Sequence, residues 1–146
     1  MSVTPNYVPR EYKTINMKLV VSDAERAIKF YNSAFGAELT MKLVDPEGIV
    51  VHAEIKIEDT IIMLSEDKDV VPGNHVVIQI YTGDAEGLFE AAIMSGAREV
   101  FPIREQFYGD RAGRVMDPFG FQWIIATHME DVPPRELYKR FNELYS

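Results

Sequence analysis

Two short constellations in this 146-residue chain carry the side chains that could do chemistry. The first is His52-Ala53-Glu54. Residues two apart on an extended segment share a face, so the imidazole and the carboxylate stand side by side. Such a pair serves as a general base or as half of a metal site. The same polar row continues into Lys56, which fits a half-solvated sheet face equally well. The second constellation is Tyr108-Gly109-Asp110-Arg111, with Arg114 close behind. On a closing loop, Tyr108 would stack on a ligand and Arg111 would pair an anionic group. The alternative is a salt bridge between Asp110 and Arg111 that pins the loop to itself.

Single residues add to these. Asn16 opens an apolar strand. Trp123, the sole tryptophan, either lines a cleft or packs in the core. His75 stands at a strand start, as a pocket or surface residue, and His128 follows the last strand, at an exit turn or a dimer contact. The chain has no cysteine, so thiolate nucleophiles, cysteine metal sites and disulfides are excluded. No glycine-rich phosphate cradle or nucleophile elbow is present.

The elements that must position these residues occur twice. Asn16 to Glu25 and His75 to Glu86 each run from an apolar strand into Asp-Ala-Glu and a helical stretch. The two helices stop at Phe35-Gly36-Ala37 and Ser95-Gly96-Ala97. A repeated unit of this size cannot bury its own apolar face well, so two copies are expected to form one domain. The alternation from Thr14 to Ser22 predicts a strand, and Ser22-Asp23-Ala24-Glu25 reads as a capping box. Ala24, Ala27, Ile28, Tyr31 and Phe35 then fall on one helical face. Extended segments follow at 38–44, 49–57 and 60–65, and the polar 67–74 stretch joins the halves.

In the second half, strands are predicted at 75–81, 99–102, 114–117 and 122–127. A long loop at 103–113 and an Asp117-Pro118-Phe119-Gly120 turn separate the last three. Residues 1–13 read as an irregular lead-in. After Pro133-Pro134, Leu137, Phe141 and Leu144 recur at helical spacing. The expected organisation is a single domain over 1–146. Repeat one covers about 14–66, repeat two about 75–128, and an amphipathic tail helix about 133–145. Each half is β-α-β-β-β, an α+β arrangement of curved mixed sheets with a concave cleft suited to a small molecule.

The net charge of −8 and pI near 4.9 oppose binding to nucleic-acid phosphates. No apolar run reaches the length of a bilayer span, and the N-terminus lacks the layout of a signal peptide. The expected location is the cytoplasm.

The repeat, together with Gln106-Phe107-Tyr108-Gly109-Asp110-Arg111-Ala112-Gly113-Arg114 and the Asp117-Pro118-Phe119-Gly120 turn, resembles the vicinal oxygen chelate superfamily. This is the glyoxalase, bleomycin-resistance and dioxygenase type, and the Tyr-Gly-Asp-Arg loop is similar to its PhnB-like branch. Ala126 to Val132 is similar to how that branch leaves its last strand. The resemblance implies a homodimer and a ligand in the concave sheet. Metal-dependent members take their side-chain ligands from the first and last strands of each half. Those positions fall here at Asn16, near Ile62, near Val77 and near Ile124, with His75 or Gln122 in range if the register slips by two. Isoleucine and valine offer no lone pair. The expectation is therefore a protein that binds a small organic molecule without a metal. Asn16, His52, Glu54, Tyr108, Arg111 and Trp123 are the candidate pocket residues. The alternatives are a metal-dependent lyase or dioxygenase, and an antibiotic-sequestering resistance protein.

Overall fold

Alternation along Met17–Val21 puts Leu19 and Val21 on one side, both almost fully buried, and leaves Lys18 exposed on the other. That strand, β1, opens the fold in a computed structural model that describes residues 7–73 and 75–145. It leads into helix α1 (Ala24–Phe35), followed by β2 (Glu38–Val44), β3 (Val50–Ile57) and β4 (Thr60–Glu66). The order then repeats as β5 (Val77–Tyr81), α2 (Ala85–Met94), β6 (Arg98–Glu105), β7 (Asp110–Met116) and β8 (Gln122–His128). Helix α3 (Pro134–Glu143) closes the chain.

Two compact units result, with the boundary between Val71 and Pro72. Each contains one four-stranded sheet, ordered β1-β4-β3-β2 in the first and β5-β8-β7-β6 in the second. The β1–β4 and β5–β8 pairs are parallel and the remaining pairs antiparallel. A parallel pair needs a crossover, which α1 and the hairpin strands supply. The α+β architecture expected from the repeat is therefore observed in both halves.

In the first unit, α1 buries Ala24, Ala27, Phe30, Tyr31, Ala34 and Phe35 against the sheet. The Tyr31 and Phe35 rings stack at 6.2 Å, and Leu19, Val21, Ile55, Ile62 and Leu64 complete the core. Each such side chain contributes about 1.5–3 kcal/mol by leaving water. In the second unit, Ile78, Ala92, Val115, Trp123 and Ile125 play the same part.

Four expectations are corrected by these elements. Asp23, not Ser22, is the N-cap of α1, accepting from the Arg26 amide at 3.1 Å. The helix begins one residue later than the capping box requires, so Glu25 cannot reach back. Glu66 from β4 takes that role, accepting from the Ala24 amide at 3.0 Å. Likewise β1 starts at Met17 and β5 at Val77, which leaves Asn16 and His75 ahead of their strands.

The third correction is the largest. The 103–113 stretch is not a long loop but most of a hairpin, with only Gln106-Phe107-Tyr108-Gly109 as its turn. The turn is closed by the Gly109 amide on the Gln106 carbonyl at 3.1 Å and the Gln106 amide on the Asp110 carbonyl at 2.7 Å. Pro102, where the predicted 99–102 strand stops, lies inside β6, because β6 is an edge strand and the register with β7 shifts there. A bulge on an edge tolerates proline because no partner needs its missing N–H.

Finally, the tail helix is shorter than expected, Pro134–Glu143 rather than 133–145, and none of its residues is fully buried. It rests on the second unit through Phe141 against Phe107 at 5.7 Å, and Arg140 donates to the Phe107 carbonyl at 3.1 Å. Of the irregular lead-in, Met1 to Asn6 lie outside the described residues, as does Asn74 in the joint between the halves.

Candidate functional site

Strand parity decides which side chains can meet a ligand. In the second unit, the Thr127 hydroxyl accepts from the Ala85 amide at the start of α2 at 3.0 Å. Thr127, Ile125 and Trp123 therefore face the helix, and Ala126, Ile124 and Gln122 face away from it. Register carries the same division across the sheet. Gln79, Ile124, Arg114 and Phe101 form one row on the helix-free face. In the first unit the matching row is Lys18, Met63, Glu54 and Met41.

On the second unit's open face the β6 bulge and the hairpin turn wall a groove of about 400 Å³. Phe101, Arg104, Gln106, Tyr108, Arg114 and Ile124 are among its lining side chains. Gly113 is among the residues that line it, and a Cβ there would lie 2.9 Å from the Ile103 nitrogen and 3.0 Å from the Phe101 carbonyl oxygen. Arg114 is half-buried, and its guanidinium makes two contacts. It donates to Gln122 Oε1 at 3.1 Å, and its guanidinium lies 5.6 Å from the centre of the Phe101 ring. Tyr108 ionises above the usual tyrosine range, mainly through burial and then through the nearby charge of Asp110.

A hydrogen-bonded cluster closes one end of this face. Asp110 is buried and accepts from the Tyr81 hydroxyl at 3.0 Å and from His128 Nδ1 at 2.7 Å. His128 Nε2 reaches Asp131 at 2.7 Å. Hydrogen bonds to Asp110 and then Asp131 raise the His128 pKa above the ordinary histidine value. The Asp110 bond also raises that of Tyr81. Gly109 permits the close fit, with φ at 98° and no room for a Cβ beside the Glu130 carbonyl.

The first unit's open face is covered differently. Glu54 is 9% exposed. It accepts from the Tyr12 hydroxyl of the lead-in, and His52 Nε2 lies 3.4 Å from its other oxygen. Lys56, next in the row, pairs with Glu11 at 2.9 Å.

The sequence-derived candidates are thus divided between the two units. Tyr108 lines the groove. His52 and Glu54 adjoin each other on the other unit's open face. Arg111 faces the opposite way from Arg114, toward α2, where it pairs with Glu86. It cannot pin Asp110, its neighbour on a strand, because adjacent strand residues point to opposite faces. Trp123 also lies on the helix face, 1% exposed, donating its indole N–H to Asp117 at 2.9 Å. Asn16 precedes β1 and folds onto Lys13, donating to its carbonyl at 2.7 Å and accepting from its amide at 3.0 Å. It lines a smaller crease of about 260 Å³ with Glu11, Lys13 and Thr60. Phe101, Arg104, Gln106 and Arg114 were missed as a set. Reading 98–116 as two alternating strands would have put Arg114 on the same face as Phe101.

These features define a protein of two β-α-β-β-β units, one with an open groove on its helix-free sheet face. The profile of the Glyoxalase/Bleomycin resistance protein/Dioxygenase superfamily matches residues 14–125, and the chain belongs to that superfamily. An uncharacterized protein of Mycobacterium bovis is 34% identical over 130 residues, covering 82% of this chain and 86% of that one. Among solved structures, a PhnB protein from Bacillus cereus superposes with a TM-score of 0.65 at 17% identity, covering 79% of this chain and 99% of that one. The fosfomycin resistance protein FosX of Listeria monocytogenes gives 0.65 at 16% identity, covering 86% and 98%. At these identities the two structures share the fold with this chain.

The superfamily's metal positions can be tested against the side chains present. Ile62 faces the helix at 2% exposure, and Asn16 is closed on Lys13. The residues that do face outward from β1, β4, β5 and β8 in the central rows are Lys18, Met63, Gln79 and Ile124. Lys18 with Met63 in the first unit, and Gln79 with Ile124 in the second, leave each central row without two hard donors for a divalent ion. Among the described residues no three His, Asp or Glu side chains are grouped to hold a metal. No helix among them is long and apolar enough to cross a membrane.

Proposed function

We propose that this protein binds a small organic molecule in the groove of its second unit, with no metal taking part in binding. The observation that supports this most directly is the groove itself. It offers about 400 Å³ beside an aromatic wall, with Arg114 already fixed by Gln122 and Phe101. That volume suits a ligand of metabolite size, and a side chain immobilised beforehand loses less entropy on binding.

The two units are read as halves of one domain, and the working form as a homodimer. Leu39, Met41 and Leu43 are each more than two-fifths exposed on edge strand β2, and edges of this kind are usually covered. A cytoplasmic location is in keeping with a chain that has no cysteine to oxidise.

A fragment screen on the intact protein, read by melting temperature and mapped by amide chemical shifts, tests the reading. Ligands should shift the amides around Phe101, Ala112 and Arg114, with or without chelator. Hits that map elsewhere, or that need an added divalent ion, would overturn it. One observation favours a metal-dependent lyase or dioxygenase instead: His52 and Glu54 are two donors on one face. Stoichiometric metal in protein purified without chelator would favour that alternative.

A further inference from the structure

We propose that the groove selects an organic anion: a carboxylate held by Arg114 and Arg104, with a flat apolar body against Phe101 and Tyr108. This rests on the groove being the binding site and adds the chemical class of its ligand.

Three observations carry it. First, the groove is lined by two guanidinium groups and no acidic side chain. This occurs in a chain with 23 Asp and Glu against 15 Lys and Arg. Second, of the second unit's other arginines, Arg98 donates to Met116 Sδ at 3.4 Å and two are ion-paired. Arg111 pairs with Glu86, and Arg140 with Glu130 and Glu136. Among the described residues, neither Arg104 nor Arg114 is ion-paired within its unit. Asp110, near Tyr108, is already engaged by Tyr81 and His128.

Third, the two units occupy the same sheet position in different ways. Glu54 and Arg114 take the same place in their rows, flanked by Met63 and Met41 in one unit and by Ile124 and Phe101 in the other. In the first unit the chain supplies its own partner, since the Tyr12 hydroxyl sits on Glu54. In the second unit Arg114 has only a neutral amide and a ring. A guanidinium has five N–H donors in a planar fork and matches a carboxylate with two parallel bonds. Phe101, already under the cation, extends an apolar surface beside that fork for a flat ligand body.

The test compares benzoate with benzamide, which share shape and differ in charge, on the full-length protein at constant ionic strength. Amide chemical shifts locate binding and give the affinities, for the wild type, R114Q and R114K. Benzoate should move the Phe101, Ala112 and Arg114 amides and bind at least about tenfold tighter than benzamide, as expected of a charge-assisted pair. R114Q should remove that preference and R114K should keep part of it. Equal binding of the two probes at those amides would overturn the anion assignment and leave the groove as a neutral site. No shift with either probe would overturn both readings. Should R114Q fail to fold, the wild-type comparison alone decides.

Discussion

His128 sits between two carboxylates, its Nδ1 2.7 Å from Asp110 and its Nε2 2.7 Å from Asp131. Carboxylates only accept, so satisfying both contacts requires both ring nitrogens to carry protons, and the imidazolium is the form that fits. One contact lies on a buried residue of β7 and the other on the exposed segment after β8. The charge on one ring therefore ties the end of the sheet to the chain that leaves it.

Folding raises the His128 pKa above 6.5, so the stability it contributes is complete below that value. The contribution is lost as the pH climbs through the raised folded pKa. The stability gap between wild type and H128Q should be wider near pH 6 than near pH 9. Of the 3 histidine resonances, the one missing in H128Q should titrate above 6.5. A midpoint at or below that value would remove the basis for this prediction.

Asp117 organises the turn between β7 and β8. Its Oδ1 accepts from the Phe119 and Phe121 amides at 2.9 and 3.0 Å, and its Oδ2 accepts from the Trp123 indole. D117A removes the acceptor of two buried donors and one half-buried one, and should cost about 3 kcal/mol or more in urea unfolding. D117N keeps an acceptor for the two amides but presents either a donor or nothing to the indole, so it should cost less. Equal losses for both would mean that the two amide bonds contribute nothing.

G113A places a methyl 2.8 Å from Ile103 Cγ1 and 2.9 Å from its backbone nitrogen. Backbone cannot step aside as a flexible side chain can, so the bulge must shift. We expect a loss of about 1–3 kcal/mol and displaced amide resonances for Phe101 to Arg104. An unchanged spectrum there would show that the approach is looser than described.

The Arg111–Glu86 pair joins side chains that are 38% and 55% exposed. R111Q should therefore change stability by no more than about 1 kcal/mol and leave the affinity for benzoate intact. A large loss of affinity in R111Q would contradict the assignment of its side chain to the helix face.

Tyr12 is the lead-in's hydrogen bond to Glu54. Y12F should destabilise the first unit by about 1–2 kcal/mol, because a buried carboxylate loses a donor. Cleavage of the lead-in by a low dose of protease should also quicken. Unaltered cleavage would mean that the segment is held by other contacts.

Periodicity made most of the fold legible. The apolar alternation of β1, the apolar segments of β5 and β8 and the helical face of α1 are local signals, and the structure keeps them. Within the hairpin from Arg98 to Met116, strand pieces at 99–102 and 114–117 are legible, but the rest is hidden by Pro102, Gly109 and Gly113, which are breakers in isolation. Their fit depends on an edge position, a turn and a bulge that only strand pairing creates. With 103–113 read as a loop and Arg114 as the first residue of a strand, no shared strand relates Arg111 to Arg114, which parity sets on opposite faces. Trp123 was ambiguous for a related reason: its partner Asp117 is close in sequence, but the face of β8 on which it falls is fixed by α2. The Tyr12–Glu54 bond is beyond any local pattern, since it joins residues 42 apart.

The sheet order has a consequence for how the chain is made. In each half the strand that emerges first, β1 or β5, has the last one, β4 or β8, as its neighbour within the sheet. While the ribosome is still adding residues before Thr60, the first strand lacks any backbone partner, and α1 has nothing to clasp it against. Each half can therefore lock only when its final strand arrives, so a nascent chain halted one strand short would be left with an unzipped edge.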